Sequence, residues 1–187
     1  MEGKTVVISA PSGAGKTSIV NFLLSKISSL SFSISACSRK KRSDEINGKN
    51  YYFFEASIFK SKISKGDFLE WEEVYTNQYY GTLNSELKRI WGENKHVLFD
   101  IDVAGGINLK NKFHSNCISI FIMPPSVSVL EERLLNRGSE TKSSIDKRIY
   151  KAEQEIAKRS DFDHIVLNDN FATACEEVLV LVKNFLK

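Results

Sequence analysis

Ala10-Pro11-Ser12-Gly13-Ala14-Gly15-Lys16-Thr17 follows an apolar, β-branched run, Thr5-Val6-Val7-Ile8-Ser9. It precedes a helical stripe of Ile19, Val20, Leu23, Leu24 and Ile27. Strand, glycine-rich loop and helix in that order are the setting a phosphate-binding loop requires. Gly13 and Gly15 let the backbone turn so that successive N–H groups point inward at a phosphate. The helix N-terminus beyond them adds a favourable dipole. Lys16 has the reach for the β- and γ-phosphates of a nucleotide, and the Thr17 hydroxyl can ligate magnesium. Ala10 stands where the strict motif has its first glycine, so the match is to the relaxed form.

The chain has 187 residues, which suits one compact domain with room for inserted subdomains. No apolar run approaches the ~20 residues of a membrane span. The N-terminus enters a strand almost at once, so neither a signal nor a transit peptide is expected. Cys37, Cys117 and Cys175 are scattered and make no metal-ligand spacing. A reducing cytoplasm is the expected compartment. The formal net charge of +3 is too small to argue for nucleic acid. No nucleic-acid or membrane partner is therefore expected, and nothing in the chain sets monomer against homo-oligomer. Basic residues do cluster at Arg39-Lys40-Lys41-Arg42 and again through 133–159. Such runs are usually solvated faces; beside a phosphate loop, arginines that embrace phosphates are the alternative.

The pattern predicts strands at 5–10, near 32–37, at 51–54, 68–75, 96–102, 117–123 and 164–168. Helices are predicted at 16–28, from a Ser57 cap to Lys65, and at 83–92 and 104–113. Further helices run from a Ser126 cap to Asn136 and over about 143–159. A C-terminal helix carries Cys175, Val178, Leu179, Val182, Phe185 and Leu186 on one face. The outer portions alternate strand and helix, as in a parallel sheet covered on both sides. Residues 34–95 are richer in strands and aromatics and read as an insertion. The charged helices after Pro125 read as a second, smaller excursion. Both leave from strand C-termini, where ligands bind in such sheets.

A phosphate loop implies a nucleotide but not a reaction, so the acceptor must be read from the insertion. A nucleoside monophosphate needs forked guanidinium donors. Arg39 and Arg42 supply them, and Tyr51 and Tyr80 can add hydroxyl donors. Guanine offers N1–H and N2 amino donors on one edge, which carboxylates accept, and acceptors at O6 and N7. Glu70 and Asp102 can accept; Ser35 and Thr82 can donate to O6. Adenine would set a bare N1 acceptor against a carboxylate, an unpaired arrangement costing roughly 1–3 kcal/mol. Asp100 ends a buried strand near the loop and either holds magnesium or caps a neighbouring turn. Glu45 either touches ligand or pairs with a nearby cation. No histidine falls in a motif.

The chain resembles the guanylate kinase family over nearly its whole length. The resemblance rests on 9–17, on Ser38-Arg39-Lys40-Lys41-Arg42, on 45–54, and on Phe68-Leu69-Glu70-Trp71. It continues through Asn77-Gln78-Tyr79-Tyr80-Gly81-Thr82, Asp100-Ile101-Asp102, Arg133-Leu134, Arg137-Gly138 and 144–148. It implies an α/β fold: a P-loop NTPase-type parallel sheet flanked by helices, an inserted mixed α/β monophosphate-binding subdomain, and a helical lid. The implied boundaries are 1–33 and 96–187 for the core, with the lid within about 126–159, and 34–95 for the GMP-binding part. It implies transfer of the γ-phosphoryl group of magnesium-ATP to GMP. Ala10, Pro11, Ser12, Gly13, Ala14, Gly15, Lys16 and Thr17 would hold ATP, with Arg133, Arg137 and Asn168. Ser35, Arg39, Arg42, Glu45, Tyr51, Glu70, Tyr80, Thr82 and Asp102 would line the GMP site. Lys16, Arg39, Arg137 and Arg148 would act in catalysis, and Thr17 and Asp100 would serve the metal. Departures from the family pattern are Ala104 where Gln is common, Cys37-Ser38 for Thr-Thr, Lys41 for Pro, and one extra residue between Glu70 and Tyr80. None removes a charged phosphate or base contact. A non-enzymatic interaction module and a kinase for another phosphorylated acceptor remain the alternatives.

Overall fold

Thr5–Ser9 forms β1, buried throughout, because its β-branched residues suit a strand covered on both faces. The computed structural model describes residues 3–135 and 142–187. After β1 come α1 (Lys16–Lys26), β2 (Leu30–Phe32), β3 (Ala36–Cys37), β4 (Tyr52–Phe53), α2 (Ala56–Ser64), β5 (Phe68–Tyr75) and β6 (Gln78–Leu83). Then follow α3 (Asn84–Gly92), β7 (His96–Asp100), α4 (Val103–Phe113), β8 (Cys117–Met123), α5 (Val127–Leu135), α6 (Lys142–Ala157), β9 (His164–Leu167) and α7 (Phe171–Leu186).

Five strands make a parallel sheet in the order β2-β7-β1-β8-β9. Side chains alternate across it. Val6 and Ile8 face Ile19, Val20 and Leu23 of α1 and Val178, Leu179 and Val182 of α7. Val7 faces the other side, with Phe99 and Phe121, against Leu87 and Ile90 of α3 and Leu109 of α4. A smaller mixed sheet, β4-β3-β6-β5, has its own core, where Phe59 stacks on Phe68 at 4.3 Å and Tyr79 lies alongside. This is the α/β architecture expected: a helix-flanked parallel sheet with a mixed insertion. Among the described residues, no helix is long and apolar enough to cross a membrane.

Several sequence expectations need correction. The strand expected at 32–37 is two strands in different sheets. Ser33 N–H donates to Leu98 O (3.0 Å) at the edge of the large sheet, and the chain then leaves for the small one. Gln78–Leu83 is a strand that the sequence reading did not include. Gly81 sits inside it because a Cβ there would lie 2.6 Å from Glu70 O. Ser57 does not cap α2; Glu55 is the capping residue and makes no side-chain bond. Ser126 does cap α5, accepting from Val129 N–H at 3.2 Å. Asp102 ends the run at 96–102 by capping α4, accepting from Gly105 N–H at 2.8 Å. Asn136, Arg137 and Gly138 lie outside the described residues.

Candidate active site

The loop between β1 and α1 opens into a cleft of about 530 Å³ that also receives the ends of β7, the inserted sheet and one face of α6. Gly13 and Gly15 both adopt left-handed φ, +93° and +92°, which a side chain would strain. Gly15 is also crowded: a Cβ there would lie 2.4 Å from Asn168 Nδ2. Asn168 is buried and donates from that nitrogen to Ala14 O (2.7 Å), bracing the loop from behind. Arg133 reaches the carbonyls of Gly13 and Asn168, each at 3.5 Å. Ala14, Arg133 and Asn168 thus support the loop without lining the cleft. Ala10, Pro11, Ser12, Gly13, Gly15, Lys16 and Thr17 do line it.

Lys16 is folded onto the end of β7. Its Nζ lies 2.6 Å from Asp100 Oδ1 and donates to Ile101 O at 2.6 Å. Thr17 Oγ1 donates to the other Asp100 oxygen at 3.4 Å. A hydroxyl and a carboxylate side by side are hard oxygen donors that suit magnesium, which takes its remaining ligands from phosphates and water. Among the described residues, no group of three or more His, Cys, Asp or Glu could hold a metal alone. Arg148, on α6, donates to Ser12 Oγ at 3.0 Å and so stands over the loop.

Across the cleft, Arg39 makes a forked pair with Glu45: Nη1 donates to Oε2 at 2.6 Å and Nη2 donates to Oε1. Arg42 N–H donates to the same Oε2 at 2.8 Å. Arg39 holds the Glu45 carboxyl down to about 2. Pairing with a neighbouring cation, one of the two readings of Glu45, is what its side chain does here. The Arg39 guanidinium lies over the rings of Tyr51 (5.0 Å) and Phe53 (5.4 Å). Tyr51 and Tyr80 meet edge to face at 6.2 Å. Arg39, Arg42, Glu45, Tyr51 and Tyr80 all line the cleft, as does Ser35.

Between these cationic walls lies an acidic floor. Burial pushes the Glu70 carboxyl up to about 7, opposed by the Thr82 hydrogen bond and aided by the Asp102 charge. Thr82 is fully buried opposite Glu70 in the β5–β6 ladder, and its hydroxyl donates to Glu70 Oε1 at 2.8 Å. The structure therefore brings Thr82 to Glu70, not into the cleft. Glu72 is pushed up to about 7 by its hydrogen bond with Asp102 and by burial. Its Oε2 is enclosed and lacks a donor. Burial alone would raise Asp102, but Glu72 and Gly105 N–H hold it down. Of the two facing carboxyls, Asp102 keeps its charge and Glu72 takes the proton more readily.

Sequence reasoning missed Glu72, Lys151 and Glu155, which line the cleft. Lys151 Nζ lies 3.7 Å from Glu155. Each carried a signal. Glu72 is two residues from Glu70 and so shares its strand face. Lys151 and Glu155 follow Arg148 at helical spacing. The arrangement can hold two phosphate chains against each other from opposite walls and accept hydrogen bonds from a base lying between them.

A family model described as guanylate kinase matches residues 2–185. A guanylate kinase of Bacteroides fragilis is 42% identical, the alignment covering 99% of this chain and 91% of the relative. One from Thermotoga maritima is 40% identical over 98% of this chain and 88% of the relative. The crystal structure of guanylate kinase from Anaplasma phagocytophilum superposes with a TM-score of 0.77 at 26% identity, covering 97% of this chain and 85% of that one.

Proposed function

The chain belongs to the guanylate kinase family, and from that premise we infer that it transfers the γ-phosphoryl group of ATP to GMP, giving ADP and GDP. The observation that carries this reading is one cleft lined by Lys16, by Arg39 and Arg42, and by the carboxyls of Glu70 and Asp102. The acceptor is a phosphate monoester whose second ionisation falls near pH ~6, so its oxygen is already anionic at neutral pH. No general base is needed, and positioning with charge cancellation does the work.

In our assignment, residues 1–33 and 96–187 form the ATP side, with a lid within about 126–159, and 34–95 form the GMP side. Lys16 leaves Asp100 to reach the β- and γ-phosphates, which the backbone of 10–17 cradles. Thr17 and Asp100 would hold magnesium, which would supply charge neutralisation to the phosphates. Arg148 approaches the γ-phosphoryl group from α6. The family resemblance assigns a like role to Arg137. Arg133 and Asn168 keep the loop in shape. Arg39 and Arg42 hold the GMP phosphate, with Tyr51 and Tyr80 donating hydroxyls. Glu45 aims Arg39. Glu70 and Asp102 accept from the guanine N1–H and N2 amino groups, and Ser35 donates to O6. Thr82 keeps Glu70 turned into the cleft. Buried free cysteines support a reducing, cytoplasmic setting.

With magnesium, ATP and GMP, the protein should form ADP and GDP in equal amounts, and a chelator should stop both. ADP formation that ignores GMP would overturn the reading; so would turnover that survives full chelation.

A further inference from the structure

Glu86 is charged and almost fully buried, at 2% exposure, yet it does not line the cleft. Each of its carboxylate oxygens accepts two hydrogen bonds. Oε2 takes Ile34 N–H (2.9 Å) and Arg89 Nη2 (2.8 Å); Oε1 takes Tyr52 Oη (2.8 Å) and Arg89 Nε (3.1 Å). Arg89 Nη2 also donates to Phe32 O at 3.1 Å. These partners sit where the two sheets join. Residues 33–35 carry the chain from the large sheet to the small one, and α3 carries it back. Glu86, on the returning helix, grips the outgoing strap at Ile34 and the small sheet at Tyr52. Arg89 grips the edge of the large sheet at Phe32.

The two residues that Glu86 grips outside its own helix each adjoin one that lines the cleft. Ile34 precedes Ser35, and Tyr52 follows Tyr51. Tyr52 N–H closes the loop by donating to Ser35 O at 2.9 Å. Burial would raise the Glu86 carboxyl, but Arg89, Ile34 N–H and Tyr52 together bring it below the usual carboxylate range, so it stays ionised near neutrality. A buried ion pair is a poor source of stability compared with apolar packing. Leu87 and Ile90 already bury α3 against the large sheet.

We propose that Glu86 is a positioning residue for the acceptor nucleotide: it clasps the junction of the two sheets and thereby sets Ser35 and Tyr51 at the GMP site. The inference rests on the assignment of 34–95 to GMP. The four hydrogen bonds that Glu86 accepts all come from residues within 34–95, so its loss is expected to act on the GMP side.

Glu86→Gln keeps the shape but turns an amide N–H₂ toward donors. It should raise KM for GMP by about tenfold or more, with KM for ATP and kcat unchanged within error. Tyr52→Phe removes one bond and leaves the Arg89 pair. It should raise KM for GMP several-fold with the same selectivity and a near-native melting temperature. Because it spares the buried charge pair, it decides the question if Glu86→Gln does not fold. A normal KM for GMP in folded Tyr52→Phe and Glu86→Gln would overturn the clasp. A parallel rise in both KM values would overturn it as well, marking a general structural defect. Wild-type protein that forms no ADP with GMP would instead refute the assignment of function.

Discussion

Lys16→Met is expected to lower kcat by on the order of 10³-fold or more while the protein still folds. In the proposed reaction Lys16 is the cation that the loop itself brings to the transferring phosphoryl group, and no backbone N–H can replace its full charge. Its Nζ is 2.6 Å from Asp100 and 2.6 Å from Ile101 O, at the lining of the cleft. Methionine keeps the length of the chain and removes the charge. The fold should survive because the α1 contacts that build the core come from Ile19, Val20 and Leu23, and Lys16 is not among them. Steady-state kinetics with a thermal melt checks both halves. Near-normal turnover in a folded Lys16→Met protein would rule out the role given to the loop.

Glu70→Gln is expected to reduce kcat/KM for GMP by about 10²-fold or more and to narrow the preference for GMP over AMP. In the proposed complex Glu70 and Asp102 together accept from N1–H and the 2-amino group; at position 70 an amide would turn a donor toward the purine where the carboxylate offers an acceptor. A buried site left with mismatched polar groups loses more than one hydrogen bond's worth of binding. The same carboxyl predicts a pH effect. Burial raises Glu70 to about 7, and guanine's donors need the ionised form. GMP binding must therefore expel a proton below that pH, so KM for GMP should fall as pH rises toward 7 and level off above it. The GMP phosphate titrates near pH ~6 on its own account. Glu70→Gln keeps that contribution and should lose the part that belongs to Glu70. A variant with unchanged GMP efficiency and an unchanged pH profile would remove Glu70 from base recognition.

Local pattern made much of the molecule legible. The bounds of β8 follow from an apolar run ended by Pro124-Pro125, and the strand expected at 68–75 is β5. The phosphate loop announces itself through its glycines between a strand and a helix. What escaped depends on contacts distant in sequence. Ser33-Ile34-Ser35 looks like the continuation of a strand. It becomes a crossing only because Ser33 N–H meets Leu98 O and Ile34 N–H meets Glu86. Thr82 is a plausible base donor until Gln78–Leu83 is recognised as a strand; its cross-strand place opposite Glu70 then commits the hydroxyl. Asn168 carries no local sign that its amide supports Ala14, a residue 154 positions away. The cleft role of Lys151 and Glu155 was readable from the Arg148 spacing, but only once α6 is known to face the loop.

In the proposed reaction one cleft joins ATP to a guanine monophosphate, the cations holding the phosphates and the carboxylates choosing the base. ADP production measured across GMP, AMP, CMP, UMP and a phosphosugar, at fixed magnesium-ATP, tests it most directly. The account predicts turnover with GMP and rates near the acceptor-free background with the others. AMP or the phosphosugar used as efficiently as GMP would contradict it.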